Sequence, residues 1–219
     1  MLPERIKRVR VSFYQTYAQE YRNMLILASK SKSRQDLLDA AGVEFESIPS
    51  GIDEGAIKKE MRSAGQNSKQ TSLRLATEKA MAVSKKYPKA FVIGADQILD
   101  MKGEWFSKPA DLSMAHKNLK KLRDKTHLLV NGTAVVRNGE LIWFDNSVVK
   151  VTMRDFSDNF LDDYLAEAGE DVCYSVGAYY MEDLGAQLVK SFEGDYFSIL
   201  GLPLLPLLEC LRQCGELPK

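Results

Sequence analysis

The stretch Leu25-Ile-Leu-Ala-Ser29-Lys-Ser31-Lys-Ser33-Arg34, running directly into Gln35-Asp-Leu-Leu-Asp-Ala-Ala-Gly42, constrains this chain more than any other. A short apolar run, then alternating Ser and basic residues, then a helical pattern closed by Gly reads as strand, loop and helix. That order brings hydroxyls, cations and the free N–H groups of a helix N-terminus together at one strand end, a site for anionic oxygens and above all for phosphate. The competing reading of Ser29, Ser31 and Arg34 is an N-capped helix with a solvated basic first turn. Lys30, Lys32 and Arg34 crowd the positive end of the helix dipole, however, and an anionic ligand would relieve that conflict. The stretch is not a Walker A loop, because the Gly spacing and the Gly-Lys-Ser/Thr ending are absent.

With 219 residues, the chain is long enough for one large or bilobed domain with a substantial core. Thirty basic residues balance thirty acidic ones, so the overall field gives no argument for nucleic acid or a membrane surface as partner. The longest apolar runs, such as Leu202 to Leu208, are too short to span a bilayer. Cys173, Cys210 and Cys214 fit a reducing, cytoplasmic setting better than a disulfide scaffold. Cys210 and Cys214 lie four apart on an expected helix, but without a third Cys or a His they read as plain thiols. His116 and His127 do not cluster either, so any metal is expected to be a hard cation held by carboxylates and phosphate. Residues 1–23 carry Arg5, Lys7, Arg8, Arg10 and Arg22 against Glu4 and Glu20 and lack the apolar run of a signal peptide. They read as a dispensable extension, with a basic arm or transit segment as alternatives, leaving one domain over 24–219.

Further along, 43–49 reads as a second extended segment leading into a Gly-flanked turn, Gly51-Ile-Asp53-Glu54. Residues 68–86 place Leu73, Ala76, Ala80 and Val83 on one face of an amphipathic helix. Phe91-Val-Ile93 reads as a short buried strand that stops at Gly94-Ala95-Asp96-Gln97. A helix over 112–122 follows Lys108-Pro109. Residues 128–137 and 140–153 are strand-rich and joined by Asn138-Gly139, a strong hairpin signal. Ser157 caps a helix ended by Gly169, a loop and strand occupy 177–191, and a last helix begins near Pro203. The expected fold is α/β, a mixed β-sheet with flanking helices.

Asp96 is the leading chemical candidate, a general base or metal ligand at a sheet end, against the blander reading of a turn or capping Asp. Gly94 and Ala95 lack bulk, which would let a substrate or metal approach the backbone. Glu54, Lys108 and Glu182 each read alone as surface charges, and Lys79 as a snorkelling lysine.

Together these segments resemble the Maf family of nucleoside triphosphate pyrophosphatases. The matching stretches are Leu27-Ala-Ser29-x-Ser31-x-x-Arg34, Gly51-Ile-Asp-Glu54, Leu75-Ala-x-x-Lys79-Ala80, Gly94-Ala-Asp96, Lys108-Pro109, Gly177-Ala-Tyr179, Gly185-Ala186, Glu193-Gly-Asp-Tyr196 and Gly201-Leu-Pro203. The resemblance covers about residues 24–215. It implies a Maf/inosine-triphosphatase-like fold with a central substrate cleft, and hydrolysis between the α- and β-phosphates to a nucleoside monophosphate and pyrophosphate, with Mg²⁺ or Mn²⁺. It assigns catalytic roles to Asp96, Glu54, Lys79 and Lys108, metal binding to Asp96 and Glu54, and phosphate binding to Ser29, Ser31 and Arg34. It also implies a homodimer. The chain departs from the commonest family pattern at Lys32, Ser33, Gln97 and Glu182. Ser33, Gln97 and Glu182 are the expected base-specificity positions, and the Gln and Glu resemble the 7-methyl-GTP subgroup. That subgroup usually has Trp at the position of Ser33. The alternative function is a catalytically weak nucleotide-binding regulator of septum formation and cell division.

Overall fold

In the computed structural model of the chain, which describes residues 24–218, the first apolar run is β1 (Leu25–Leu27) and the helix behind the Ser-basic loop is α1 (Lys32–Ala40). The extension expected over 1–23 lies outside the described residues. β1 lies parallel between β2 (Glu46–Ser47) and β3 (Phe91–Met101). From β3 onward the sheet is antiparallel, through β5 (Thr126–Arg137), β7 (Val148–Met153) and β8 (Val189–Glu193). β4 (Glu104–Phe106) folds back on β3, and β6 (Glu140–Asp145) on β5. A mixed sheet with flanking helices is therefore what forms.

Turn chemistry explains both hairpins. Asn138 and Gly139 have φ of 52° and 73°, the pair of left-handed residues that a two-residue turn needs to match strand twist. Lys102-Gly103 does the same at 56° and 89°, helped by Asp100 Oδ1 accepting from the Gly103 N–H at 2.7 Å. The expected strand over 140–153 is broken at Asn146-Ser147, where Asn146 Nδ2 donates to the Asn131 carbonyl instead. β6 and β7 consequently occupy successive halves of one edge of β5.

Two expectations are corrected. β3 does not stop at Gly94 but runs through Asp96 to Met101. A Cβ on Gly94 would stand 2.0 Å from the Ala76 carbonyl oxygen, and one on Gly132 would stand 2.3 Å from the Ser72 carbonyl carbon. Both residues belong to the helix α3 (Ser68–Ser84), whose backbone rests directly on β3 and β5. Gly94 is thus the seat of a helix, not the end of a strand or a path for substrate. The turn at Asp53-Glu54 is in fact the start of a helix, α2 (Glu54–Ser63), with the Asp53 carboxylate accepting from the Ala56 N–H at 2.9 Å.

Strand alternation sorts the core. Ile26, Val92 and Val136 meet Ala80 and Val83 of α3, while Leu25, Leu27, Ile93 and Val135 face Leu37 and Leu38 of α1 and Leu207 and Leu211 of α7 (Leu204–Gln213). At the far end of the long strands Leu99, Leu129 and Val151 pack against α4 (Leu112–Leu122) and α5 (Asp158–Ala168). α5 keeps its expected Ser157 cap and its Gly169 stop. The short helix α6 (Tyr196–Ile199) leads into Gly201 and then α7. β3 and β5 therefore bridge two packed lobes, with Asp96 near the middle. Among the described residues no helix is long and apolar enough to cross a membrane, and all three cysteines are free.

His127 is 1% exposed on β5, its Nε2 lies 2.9 Å from the Tyr179 hydroxyl, and its Nδ1 has no partner. Burial lowers its pKa to about 4. Between pH 6.5 and about 4 the unfolded chain binds a proton there that the folded chain does not. Acid therefore removes stability across that window, up to about 3 kcal/mol by linkage. We expect urea midpoints from pH 7 to 4.5 to fall more steeply for the wild type than for His127→Gln; parallel curves would contradict this.

Candidate active site

The strand end that matters is that of β1. Ala28 N–H still reaches the Ile93 carbonyl at 2.7 Å, after which the chain turns away into the Ser29–Ser31 loop. β3 continues without β1, and its register with β4 begins only at Leu99. Asp96 lies in this open window, so the crevice forms at a fork between strands, where a parallel strand ends beside one that runs on.

Arg34, in the first turn of α1, is buried and pins three segments together. Its Nη1 donates to Ser29 Oγ and to the Ala95 carbonyl, both at 3.1 Å, and its Nε donates to the Gly201 carbonyl at 2.8 Å. Gly201 has φ of 96°, and a Cβ there would press to 3.2 Å from Arg34 Nε, so only glycine permits this clamp. Burial lowers the Arg34 pKa, while Asp96 and Glu54 oppose the shift. Ser31 stands at the N-cap of α1 but its side chain makes no capping hydrogen bond, leaving the helix terminus without that acceptor. The capping reading of Ser31 does not hold.

Because α3 sits so close to β3, Lys79 reaches the crevice and is buried rather than snorkelling. Its Nζ lies 2.7 Å from Asp96 Oδ1 and 2.9 Å from Glu54 Oε1, so two carboxylates from β3 and α2 share one ammonium. Burial opposes ionisation of Glu54, but Lys79, Lys58 and Arg34 outweigh it and hold the carboxyl below its usual range. Asp96 is 4% exposed, and its Oδ2 is buried without a hydrogen-bond partner. A buried carboxylate oxygen without a partner is rare in a folded protein and suits proton transfer or cation binding. Lys108 follows the β4 hairpin; burial, then the positive charge of Arg34, lowers its pKa.

The ten residues singled out from the sequence line one cleft of about 930 Å³: Ser29, Ser31, Ser33, Arg34, Glu54, Lys79, Asp96, Gln97, Lys108 and Glu182. Ser29 and Arg34 thus share the crevice with Asp96, as the phosphate reading requires. The sequence pattern of the family described as Maf-like protein matches residues 24–214, nearly all of the described chain.

The chain belongs to the Maf family. It is 48% identical over 192 residues to a nucleoside triphosphate pyrophosphatase of Paramagnetospirillum magneticum, covering 88% of this chain and 99% of that protein. It is 45% identical over 189 residues to a protein of the same description from Granulibacter bethesdensis, covering 86% and 96%. It is also 41% identical over 194 residues to a 7-methyl-GTP pyrophosphatase of Rhizobium meliloti, covering 89% and 98%.

Within this Maf cleft the residues differ in how free they are. Gln97 Nε2 is committed to the scaffold, donating to Asn131 Oδ1 at 3.1 Å and to the carbonyls of Ser198 and Ile199 at 3.0 and 3.1 Å. Through these bonds it fixes α6 and the Gly201 clamp behind it. Glu182 is exposed on the rim. Among the lining residues that the sequence does not flag are Lys58, Tyr174 and Tyr180. Lys58 follows Glu54 by one helical turn, a signal hidden while that segment read as a turn; the tyrosines had no local pattern to betray them. Among the described residues no cluster of three or more His, Cys, Asp or Glu side chains forms a ready-made metal cage. A hard ion held by Asp96 and Glu54 would need phosphate oxygens to complete its shell, and the orphaned Asp96 oxygen fits such a ligand.

Proposed function

We propose that this chain hydrolyses nucleoside triphosphates between the α- and β-phosphates, releasing a nucleoside monophosphate and pyrophosphate, as a house-cleaning enzyme of the nucleotide pool. The observation that carries the reading is the Lys79-bridged pair of Asp96 and Glu54, set across one crevice from Ser29, Ser31 and Arg34. Asp96 orients the attacking water and takes its proton, since it is a buried carboxylate with an unengaged oxygen. Arg34, Lys79 and Lys108 offset the charge that builds on the departing pyrophosphate. Ser29, Ser31 and the uncapped N–H groups of α1 receive phosphate oxygens. Asp96 and Glu54 are the residues that would hold Mg²⁺ or Mn²⁺, which when bound polarises the phosphate under attack. A pure nucleotide binder has no use for a buried carboxylate beside the phosphates, where it would repel them.

The finer reading is a guanine-type base, including 7-methylguanine. Glu182 would accept from a guanine N1–H and exocyclic amine and would repel the carbonyls of a pyrimidine, with Ser33 and Gln97 shaping the same pocket. The chain's free thiols suit the cytoplasm, and a homodimer follows from the family resemblance. A panel of standard and modified triphosphates tests the base assignment by pyrophosphate release. We expect guanine nucleotides to exceed dTTP and UTP in kcat/KM, and Glu182→Gln to narrow that ratio about tenfold or more. Preference for dTTP or UTP over every guanine nucleotide would overturn it.

A further inference from the structure

α2 has three properties that the chemistry above does not require. None of its residues is fully buried, although Glu54, Ile57, Lys58 and Met61 form a half-covered inward stripe at helical spacing. It hangs between Gly51 and Gly65, both at φ of 69° and both with open space where a Cβ would stand, so these glycines serve as backbone joints and not as packing sites. Its polar attachments are Glu54 to Lys79 and Arg62 stacked 4.2 Å from the centroid of the Trp105 ring on β4. A helix held so lightly belongs to the class of elements that move when a ligand arrives.

Lys58 supplies a reason for it to move. It lines the cleft and, among the described residues, forms no hydrogen bond or ion pair, its charge acting on Glu54 only through space. Lys79 already holds two carboxylates and Arg34 already donates to three oxygens. A triphosphate brings several negative charges, most of them on the part that leaves as pyrophosphate, and an uncommitted ammonium on the cleft wall answers that charge.

We propose that Lys58 grips the outer phosphates of the nucleotide and that α2 swings onto the cleft with it, turning on Gly51 and Gly65. This rests on the triphosphate reading of the cleft and adds to it a binding residue and a motion. Arg62 and Trp105 then report the motion, because a shift of α2 changes the stacking over the indole.

Lys58→Gln is compared with Lys59→Gln, which removes the same charge from the exposed neighbouring position, and with Lys58→Arg. Pyrophosphate serves both as product inhibitor and as probe. We expect Lys58→Gln to raise KM for the triphosphate and the inhibition constant of pyrophosphate about tenfold to a hundredfold, Lys58→Arg to restore most of the loss, and Lys59→Gln to change neither. With Trp143→Phe leaving Trp105 as the single indole, pyrophosphate should shift its emission, and Lys58→Gln should abolish the shift. Equal effects of Lys58→Gln and Lys59→Gln would overturn the binding role, and an emission shift that survives Lys58→Gln would overturn the coupled closure. If the parent protein neither hydrolyses a triphosphate nor binds pyrophosphate, the reading of the whole cleft falls. If it does both while Lys58→Gln matches Lys59→Gln, only this inference falls.

Discussion

Replacing Asp96 with Asn should lower turnover by about a thousandfold or more while leaving the thermal midpoint within a few degrees of the wild type. The asymmetry follows from the contacts. Asn keeps an oxygen where Asp96 Oδ1 meets Lys79 at 2.7 Å, and Lys79 keeps its second partner, Glu54, at 2.9 Å. The ammonium is therefore not stranded, and the close packing of α3 on β3 is untouched. What disappears is a carboxylate able to take a proton at the unpartnered Oδ2 position. Because the lost interaction belongs to the transition state, kcat should fall with little change in KM. Steady-state pyrophosphate release alongside thermal melts decides the point; full activity in Asp96→Asn would refute the assigned role.

Gly94→Ala should be strongly destabilising, costing more than about 3 kcal/mol in urea unfolding. The added carbon would meet the Ala76 carbonyl at 2.0 Å and the Ala80 nitrogen at 2.9 Å, and both obstacles are helix backbone that no rotamer change can clear. Either α3 lifts off the sheet or β3 bends, and in both cases Lys79 loses its alignment with Asp96 and activity is lost with stability. Gly139→Ala is the control. Its φ of 73° imposes strain but nothing stands near its missing Cβ, so it should cost only about 1 to 2 kcal/mol. If Gly94→Ala unfolds no more easily than Gly139→Ala and instead raises KM alone, the glycine serves ligand approach and not helix packing.

The Ser29–Arg34 wall of the cleft is legible in the sequence because its signal is local. Apolar residues followed by Ser29, Ser31 and Arg34 and then a helical period are contiguous in sequence, and the fold keeps them together. The placing of Asp96 at a strand end holds only in part. Gly94 reads as a breaker when only the chain itself is in view, since the helix that requires it comes from residues 68–84. The true strand end belongs to β1, and only the pairing of β1 with β3 reveals that Asp96 stands at a fork. α2 was missed because its inward stripe holds just two apolar side chains, Ile57 and Met61, beside Glu54 and Lys58, too few for hydrophobic periodicity to register. The burial of Lys79 and the anchoring of Gln97 by Ser198 and Ile199 depend on contacts between segments far apart in sequence. Asn138-Gly139 announced its hairpin, whereas Lys102-Gly103 did not, because lysine seldom adopts the positive φ it has there.

The most direct test is the product ratio from a guanine nucleoside triphosphate with Mg²⁺, followed by phosphorus NMR and chromatography. We expect nucleoside monophosphate and pyrophosphate in equal amounts from the first turnover, with no diphosphate and no orthophosphate. Nucleoside diphosphate with orthophosphate would place the cleaved bond elsewhere, and no product at all would leave the cleft a binding site without the hydrolysis assigned to it.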